Sequence, residues 1–409
     1  TMNKKRIFFL QKFFLIILYQ CILVGIAIFL LKRVGAFGCF DDCFNFGAGY
    51  FLLHGKQLYS QIFFNHQPIM AYISAAVQYI SQPQTLFELV KYHRLAVLLL
   101  SDIFGTFLIL RFGLPLFISL VVFEATKFYI FGDRFLTEGI IVYPMMYLTL
   151  LILYKFLGKI VYRWEYILAA LCSWLIFWMR EPFMPWSGVT FLILVLLSYK
   201  EKVQRKNIVA ALIVFSLLHL ITFTVLPIRE YLFNVFTVNL QYEVSVQSWN
   251  VMTMAQILFY PAFVMIHGVG NIFQTTLFVL SVIFFVGIGY EVFWKRKYVA
   301  AGVSFFLLGL ANLRVVPVGT LYYDAFHMIP WYGMVIGITC MFMSDMWEDV
   351  RIKKIAVLSG ASLLLITLYG IVSPQSFVRE RIDTQSEFTT NYANYFAKGQ
   401  IIKLLAKPG

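Results

Sequence analysis

Apolar windows long enough to cross a membrane recur along the whole chain. A helix needs about 20 mainly apolar residues to span the hydrocarbon core of a bilayer, and the stretch 7–31 is the first of many such windows. Charged residues make up only 13% of the 409 residues and apolar residues 61%, which is far from the composition of a soluble domain. We therefore predict an all-α polytopic membrane protein.

About eleven transmembrane helices are predicted from these windows. The first stretch is too long for the apolar core of a signal peptide and lacks a small-residue cleavage site after it, so we expect it to remain as a helix. Two shorter apolar pieces, 68–81 and 254–268, are interpreted as interfacial or re-entrant helices. The predicted spans are 7–31, 91–110, 115–132, 137–154, 165–180, 183–199, 208–227, 271–293, 298–316, 328–345 and 355–373.

Lys and Arg cluster in short loops between the apolar windows, which is the positive-inside pattern. The net charge of +13 therefore predicts a membrane orientation and not a nucleic-acid partner. We expect a multi-pass protein of the plasma membrane with a cytoplasmic N-terminus, although Lys32 and Arg33 go against this arrangement. The loops placed in the cytoplasm are Lys4-Lys5-Arg6, Lys155/Lys159/Arg163, Lys200/Lys202/Arg205/Lys206, Lys295-Arg296-Lys297 and Arg351/Lys353/Lys354.

With this topology the polar residues other than loop cations fall on the outer face. A transporter more often places its polar groups near the bilayer midplane on broken helices, whereas a one-sided polar face suits an enzyme that acts at the outer surface. The outer segments are Asp41-Asp42, 133–138, Arg180-Glu181-Pro182, 228–251, 322–327 and the tail from Pro374.

The most informative of these segments is the loop that follows the first apolar window. It contains the acidic pair Asp41-Asp42, the apolar run Gly49–Leu53, the segment Gly55-Lys56-Gln57-Leu58-Tyr59 and the segment Asn65-His66-Gln67-Pro68. Three later motifs follow in order. They are Arg94-Leu95, the segment Gly132-Asp133-Arg134-Phe135-Leu136-Thr137-Glu138, and His327-Met328-Ile329-Pro330.

In this order the motifs resemble those of the GT-C superfamily, membrane glycosyltransferases that take a sugar from a polyprenyl-phosphate carrier. Protein O-mannosyltransferases and lipid A aminoarabinose transferases belong to it. The resemblance implies a GT-C-type fold in which residues 1–373 form the catalytic module and 37–90 its first outer loop. Residues 374–409 are then an outer-face tail, either the start of a soluble domain or the end of a minimal member. One departure is that the second acid in register is Glu138 and not Asp133.

The resemblance assigns the leading acid, Asp41, the role of general base, and a carboxylate near apolar surface has its pKa raised towards useful values. Asp42 and Glu138 would orient the acceptor or a cation. The alternative interpretation is that Asp41 and Asp42 cap the helix that follows them, and that Glu138 is favoured by the dipole of its own helix.

Cationic and aromatic residues on the outer face are candidates for substrate contacts. Arginine matches phosphate oxygens well, although interfacial snorkelling explains an arginine at a membrane edge equally simply. Arg180 and Glu181 are interpreted as an ion pair at the end of a span. Tyrosine fits sugar binding but also forms interfacial belts. The phosphate candidates are Arg94, Arg134, Arg314 and His327, and the sugar or acceptor candidates are Tyr59, His66, Tyr322 and Tyr323.

We expect no cofactor. A divalent cation is not favoured, and if one binds, its ligands would be Asp41, Asp42 and Glu138. The sequence has no Gly-rich phosphate loop, which argues against a nucleotide-sugar donor. The predicted partners are membrane lipid, a polyprenyl-phosphate sugar and a glycan, lipid or protein acceptor. The alternatives are a lipid or sugar transporter or flippase, a ligase or polymerase that uses a diphosphate-linked glycan, and a non-catalytic binder of lipid-linked glycans.

Overall fold

The computed structural model describes residues 4–31, 41–199, 201, 204–241, 255, 259–266, 272–312, 326–349 and 353–372. Within these ranges the chain forms helices and turns, with one isolated bridge between Leu58 and Ile62 and no β-strand. This confirms the all-α prediction for the described part of the chain. The predicted outer tail 374–409 lies outside it.

Sixteen α-helices make up the described part of the chain. The first eight are α1 (Lys4–Leu31), α2 (Asp41–Leu53), α3 (Ile69–Ser81), α4 (Leu86–Phe112), α5 (Leu114–Thr126), α6 (Thr137–Phe156), α7 (Arg163–Met179) and α8 (Met184–Tyr199). The others are α9 (Arg205–Val225), α10 (Ile228–Leu232), α11 (Val238–Gln241), α12 (Tyr260–Ile266), α13 (Ile272–Gly289), α14 (Tyr298–Ala311), α15 (Ile329–Glu348) and α16 (Lys353–Val372). Short 3₁₀ turns follow α5 and α7, and π-helical turns follow α10 and α13.

Seven of the described helices are long and apolar enough to cross a membrane, so the chain is membrane-embedded. They comprise α1, α4, α6, α9 and α15, together with α8 extended by the turn before it and the part of α13 and its π turn from Thr275 to Trp294. The other predicted spans coincide with α5, α7, α14 and α16, and the total of eleven crossings remains a prediction. The predicted interfacial helix 68–81 is the 13-residue α3, whereas most of 254–268 lies outside the described residues.

Helices α6 and α15 form the centre of the bundle. Every residue in the most apolar window of α15 is buried, as are 83% of those in α6, whereas the corresponding figure for α9 is 11%. Small residues allow the two central helices to approach closely: a Cβ atom added at Gly333 would lie 2.3 Å from a methyl carbon of Val142. The Tyr332 and Thr126 hydroxyls hydrogen-bond at 2.7 Å across the α15–α5 contact. Peripheral helices α1 and α9 expose apolar faces, which a bilayer would cover.

A buried polar network lies between α4, α5 and α6. Lys127 Nζ is 2.6 Å from Glu124 Oε2 and donates a hydrogen bond to Ser101 Oγ at 2.9 Å, and the Tyr143 hydroxyl donates to Glu124 Oε1. The side chains of Lys127 and Glu124 are fully buried. An ion pair in this position compensates two charges that would be very costly alone. The pair lies at the 3₁₀ turn at which α5 ends, so α5 is shorter than the predicted span 115–132.

Helices α2 and α3 cross at a glycine. A Cβ atom at Gly49 would lie 2.6 Å from Ser74 Oγ and 2.7 Å from the Ala75 backbone nitrogen, whereas one at Gly47 would meet nothing within 4 Å. We expect Gly49→Ala to lower the free energy of unfolding by about 1–3 kcal/mol, because the added methyl forces the helices apart. The measurement is the thermal unfolding midpoint in detergent.

The matched control is Gly47→Ala on the same helix. Alanine is favoured over glycine in a helix interior by roughly 0.5–1 kcal/mol, so this variant should be neutral or slightly more stable. Equal destabilisation by the two substitutions would contradict the close α2–α3 contact.

Candidate functional site

Several helix ends meet at one end of the bundle and carry a cluster of ionisable side chains. Glu138 is the second residue of α6, Arg180 directly follows α7, and Glu181 opens the turn before α8. His327 lies just before α15, and His66 lies in the loop before α3. We call these five residues the Arg180 cluster. The basic residues Lys155, Lys159 and Arg163 lie at the other end of the bundle, where α6 ends and α7 begins.

Arg180 joins the two halves of the cluster. Its Nε atom lies 3.2 Å from Glu138 Oε1, and the same oxygen lies 3.1 Å from His327 Nδ1. All three side chains are buried. Burial, the largest single influence, lowers the pKa of Arg180, but Glu138, Glu181 and Asp41 together raise it above its usual value. The guanidinium is therefore a permanent buried cation surrounded by acids.

His66 bridges Arg180 and Glu181. Its Nδ1 lies 2.8 Å from Arg180 Nη1 and 3.0 Å from Glu181 Oε1. A guanidinium only donates hydrogen bonds and a carboxylate only accepts them. In a neutral ring, Nδ1 therefore either accepts a hydrogen bond from Arg180 or donates one to Glu181, but not both at once. Burial and the charge of Arg180 lower the pKa of His66 and outweigh the opposite effect of Glu181, which keeps the ring neutral near pH 7.

This lowered pKa predicts acid sensitivity. The unfolded chain binds a proton at His66 near pH 6.5, whereas the folded chain does so only at lower pH, so the unfolded state gains protons first. Stability from this residue is then complete above about pH 6.5 and declines as the pH falls below that value. We expect His66→Asn to reduce the difference between the unfolding midpoints measured at pH 7.5 and pH 5.5.

The exposed His54 provides the control for this prediction. The Nδ1–H of its ring donates a hydrogen bond to the Tyr50 carbonyl, one helical turn earlier, at 2.7 Å. His54→Asn should leave the pH difference as it is in the wild type. If His66→Asn also left it unchanged, His66 would not be responsible for the acid sensitivity.

Asp41 lies beside this cluster. It is half-buried at the start of α2 and is close enough to Arg180 to act on it electrostatically. Asp42 is fully buried, so solvent or a substrate reaches Asp41 more easily. The structure therefore places Asp41 beside the cluster that contains His66, Glu138 and His327.

Arg94 and Arg134 are each about 3% exposed and belong to an adjoining region. The neighbour of Arg94 on α4, His93, has its ring 4.8 Å from that of Phe135, the neighbour of Arg134. Asn45 of α2 donates a hydrogen bond to the Phe135 carbonyl at 3.4 Å. The turn before α6 therefore packs against both α2 and α4; it carries Arg134 and leads into Glu138, the second residue of α6.

Tyr59 is buried beneath the cluster. Its hydroxyl donates to the His66 carbonyl at 2.8 Å, and its ring lies edge-on to Tyr231 with centroids 5.3 Å apart. Its φ is +69°, a left-handed conformation that a tyrosine adopts only when the surroundings compel it. In this position Tyr59 supports the loop that presents His66.

The segment α10–α11 fastens the same loop. Asn239 donates to the Asn65 carbonyl at 2.9 Å, and the Tyr231 hydroxyl donates to Gln67 Oε1 at 3.1 Å. These contacts come from the start of the predicted outer loop 228–251, whose remainder from residue 242 lies outside the described residues. His66 is thus held from both sides by side chains that are distant in sequence.

Three predicted site residues, Arg314, Tyr322 and Tyr323, lie outside the described residues. In the described part of the chain, no group of three or more His, Cys, Asp and Glu side chains is arranged to hold a metal ion. Cys43 forms a disulfide.

Arg180 is the residue whose importance sequence reasoning missed. The motif Arg180-Glu181-Pro182 was interpreted as an ion pair of neighbours, but the nearest carboxylate oxygen to Arg180 Nε belongs to Glu138. One signal was available, because an arginine and an acid stand together at the outer end of the predicted span 165–180. The motif resemblance did not extend to this loop.

No family model, curated protein or solved structure matches the chain at a significant level.

Proposed function

We propose that this protein is an integral membrane glycosyltransferase. It moves a sugar from a polyprenyl-phosphate carrier to an acceptor hydroxyl, with inversion at the anomeric carbon, and Asp41 is the general base. The acceptor is a cell-wall polymer, a lipid-linked glycan or a protein. The protein lies in the plasma membrane, with its N-terminus in the cytoplasm and the Arg180 cluster at the extracytoplasmic face.

The observation that carries this proposal is the position of Asp41. A half-buried carboxylate lies beside a cluster of one arginine, two acids and two histidines at one end of the bundle, of which Arg180, Glu138 and His327 are buried and His66 and Glu181 are partly buried. A base needs partial access to its substrate and a site from which water is largely excluded. Ionisable groups clustered at a membrane protein's end from separate helices are costly to assemble and are typical of functional sites.

The leaving phosphate of the donor requires cationic stabilisation. Arg180 is a permanent buried cation in the cluster, and Arg94 and Arg134 are buried in the adjoining region. A monophosphate carries fewer charges than a diphosphate, so arginines suffice to balance the charge that develops as the sugar departs. Lipid-facing apolar surface on the neighbouring helices accommodates the polyprenyl chain.

The test is sugar transfer by the purified protein in membranes that contain native acceptors. Radiolabelled sugars are supplied on polyprenyl phosphate, on polyprenyl diphosphate and on a nucleotide. We expect transfer from the monophosphate donor alone. Transfer from the diphosphate donor would instead indicate a ligase or polymerase, and the absence of transfer from every donor would contradict the proposal.

A second candidate function is lipid or sugar transport. The buried Lys127–Glu124 pair favours it, because ionisable residues between transmembrane helices often mark a transport path. The test is uptake or flipping by the protein in sealed vesicles. Transport that is lost in Lys127→Met would support this function over the transferase if the wild type also showed no sugar transfer.

A further inference from the structure

A second concave site lies at the end of the bundle opposite the Arg180 cluster. It is a half-open cavity of about 840 Å³ between the start of α1, the α4–α5 junction, the start of α7 and the end of α15. We call it the basic-end pocket. Its charged lining is Lys12, Arg111, Lys159 and Glu348. None of these residues belongs to the candidate transferase site.

Positive charge dominates the pocket. Arg111 is bound through its Nη2 atom to Glu165 Oε2 at 2.9 Å and is stacked near the Tyr154 and Tyr162 rings. Lys12 donates to the carbonyl of Leu110. Lys159 is 3.7 Å from Glu348, whose side chain is 67% exposed. An exposed pair of this kind is weak, so three cations face one weakly held carboxylate and one buried carboxylate.

The walls of the pocket are apolar on the side that faces lipid. Phe14 and Leu110 line the cavity and are 63% and 47% exposed. They stand on the lipid-facing surfaces of α1 and α4, beside further exposed apolar residues of those helices. Tyr162 and Trp164 line the other side and are about half exposed. Amphipathic aromatic rings at this level are typical of the headgroup region of a bilayer.

We propose that the basic-end pocket binds an anionic phospholipid of the surrounding membrane. The phosphate lies among Lys12, Arg111 and Lys159, and an acyl chain runs past Phe14 and Leu110 along α1 and α4. Basic pockets between transmembrane helices are recognised sites for anionic headgroups. A free phosphate ion would use the same cations but would leave the exposed apolar wall uncovered. The combination of charge and apolar surface therefore fits a lipid.

The experiment measures the thermal unfolding midpoint of the full chain in detergent as lipid is added. Phosphatidylglycerol, phosphatidylcholine and sn-glycerol 3-phosphate are compared over the same concentrations. We expect phosphatidylglycerol alone to raise the midpoint. Each pocket lysine contributes about fivefold to the affinity for an anionic lipid, so Lys12→Gln/Lys159→Gln should bind phosphatidylglycerol roughly 25-fold more weakly.

Lys206→Gln is the matched control, because Lys206 is an exposed lysine at the same end of the bundle outside the pocket. It should bind the lipid as the wild type does. If the double variant does not fold, the single variants Lys12→Gln and Lys159→Gln replace it, and each should lose about fivefold in affinity for phosphatidylglycerol. An unchanged affinity in the lysine variants, or an equal response to phosphatidylcholine, would overturn the proposal. An equal response to glycerol 3-phosphate would identify a small-anion site instead.

Discussion

Asp41→Asn is expected to lower the rate of sugar transfer by about 10²–10⁴-fold, the usual contribution of a general base. Asparagine keeps the size and the hydrogen-bonding shape of the side chain but does not accept the proton of the acceptor hydroxyl. Donor binding depends on cations, and it should therefore change little. The measurement combines the rate of transfer with a separate assay of donor binding by the purified variant.

Asp102→Asn is the control for this substitution. Asp102 is a half-buried acid on α4 whose carboxylate accepts a hydrogen bond from Gln20 at 2.6 Å, remote from the Arg180 cluster. This variant should transfer sugar at the wild-type rate. If Asp41→Asn also retained the wild-type rate, Asp41 would not be the base, and Asp42 or Glu138 would become the candidates.

Arg180→Met is expected to lower the free energy of unfolding by about 3–5 kcal/mol, the usual cost of removing one partner of a buried ion pair. The substitution leaves Glu138 buried without the cation 3.2 Å from it, and it removes the same charge from the side of Glu181. Methionine fills a similar volume, so loss of packing contributes little. The unfolding midpoint in detergent, measured at constant pH and lipid content, reports the loss.

A double variant distinguishes an ion pair from simple loss of packing. In Arg180→Met/Glu138→Gln the carboxylate that needed the cation is neutral, so much of the lost stability should return. Arg205→Met, at an exposed arginine, should change stability by no more than about 0.5 kcal/mol. If the double variant were as unstable as the sum of its single variants, the Arg180–Glu138 contact would not govern stability here.

Asp41 and Arg180 differ in how far the sequence alone indicates their importance. Asp41 stands in a local motif before an apolar run, and the family resemblance of that motif makes it a candidate base. Arg180 is 42 positions from Glu138 along the chain, and their contact depends on the packing of α6 against α7. Pairing between helix ends is non-local, so no window of sequence contains it.

Helix lengths show the same limit. The sequence predicts one span over 115–132, whereas the structure has the 13-residue α5 followed by a 3₁₀ turn, after which Phe131 adopts a left-handed conformation. Its apolar letters continue through this turn. Lys127 begins this turn, and its ammonium contacts Glu124 and Ser101 in the packed bundle. A hydropathy profile depends only on the residues within its window and therefore does not show that Lys127 contacts Ser101 of another helix.

By itself, the sequence determined the membrane class, the all-α architecture of the described residues and the approximate place of the long apolar helices, whereas the short helices α10 and α11 lie within the predicted outer loop 228–251. These properties are local, because a bilayer-spanning helix satisfies its own backbone and needs only a sufficiently long apolar stretch. Only the tertiary structure decided which polar side chains meet. The Arg180 cluster and the basic-end pocket each combine residues from several helices. Their charges are tolerable only where packing supplies partners at about 3 Å, which is a property of the assembled bundle.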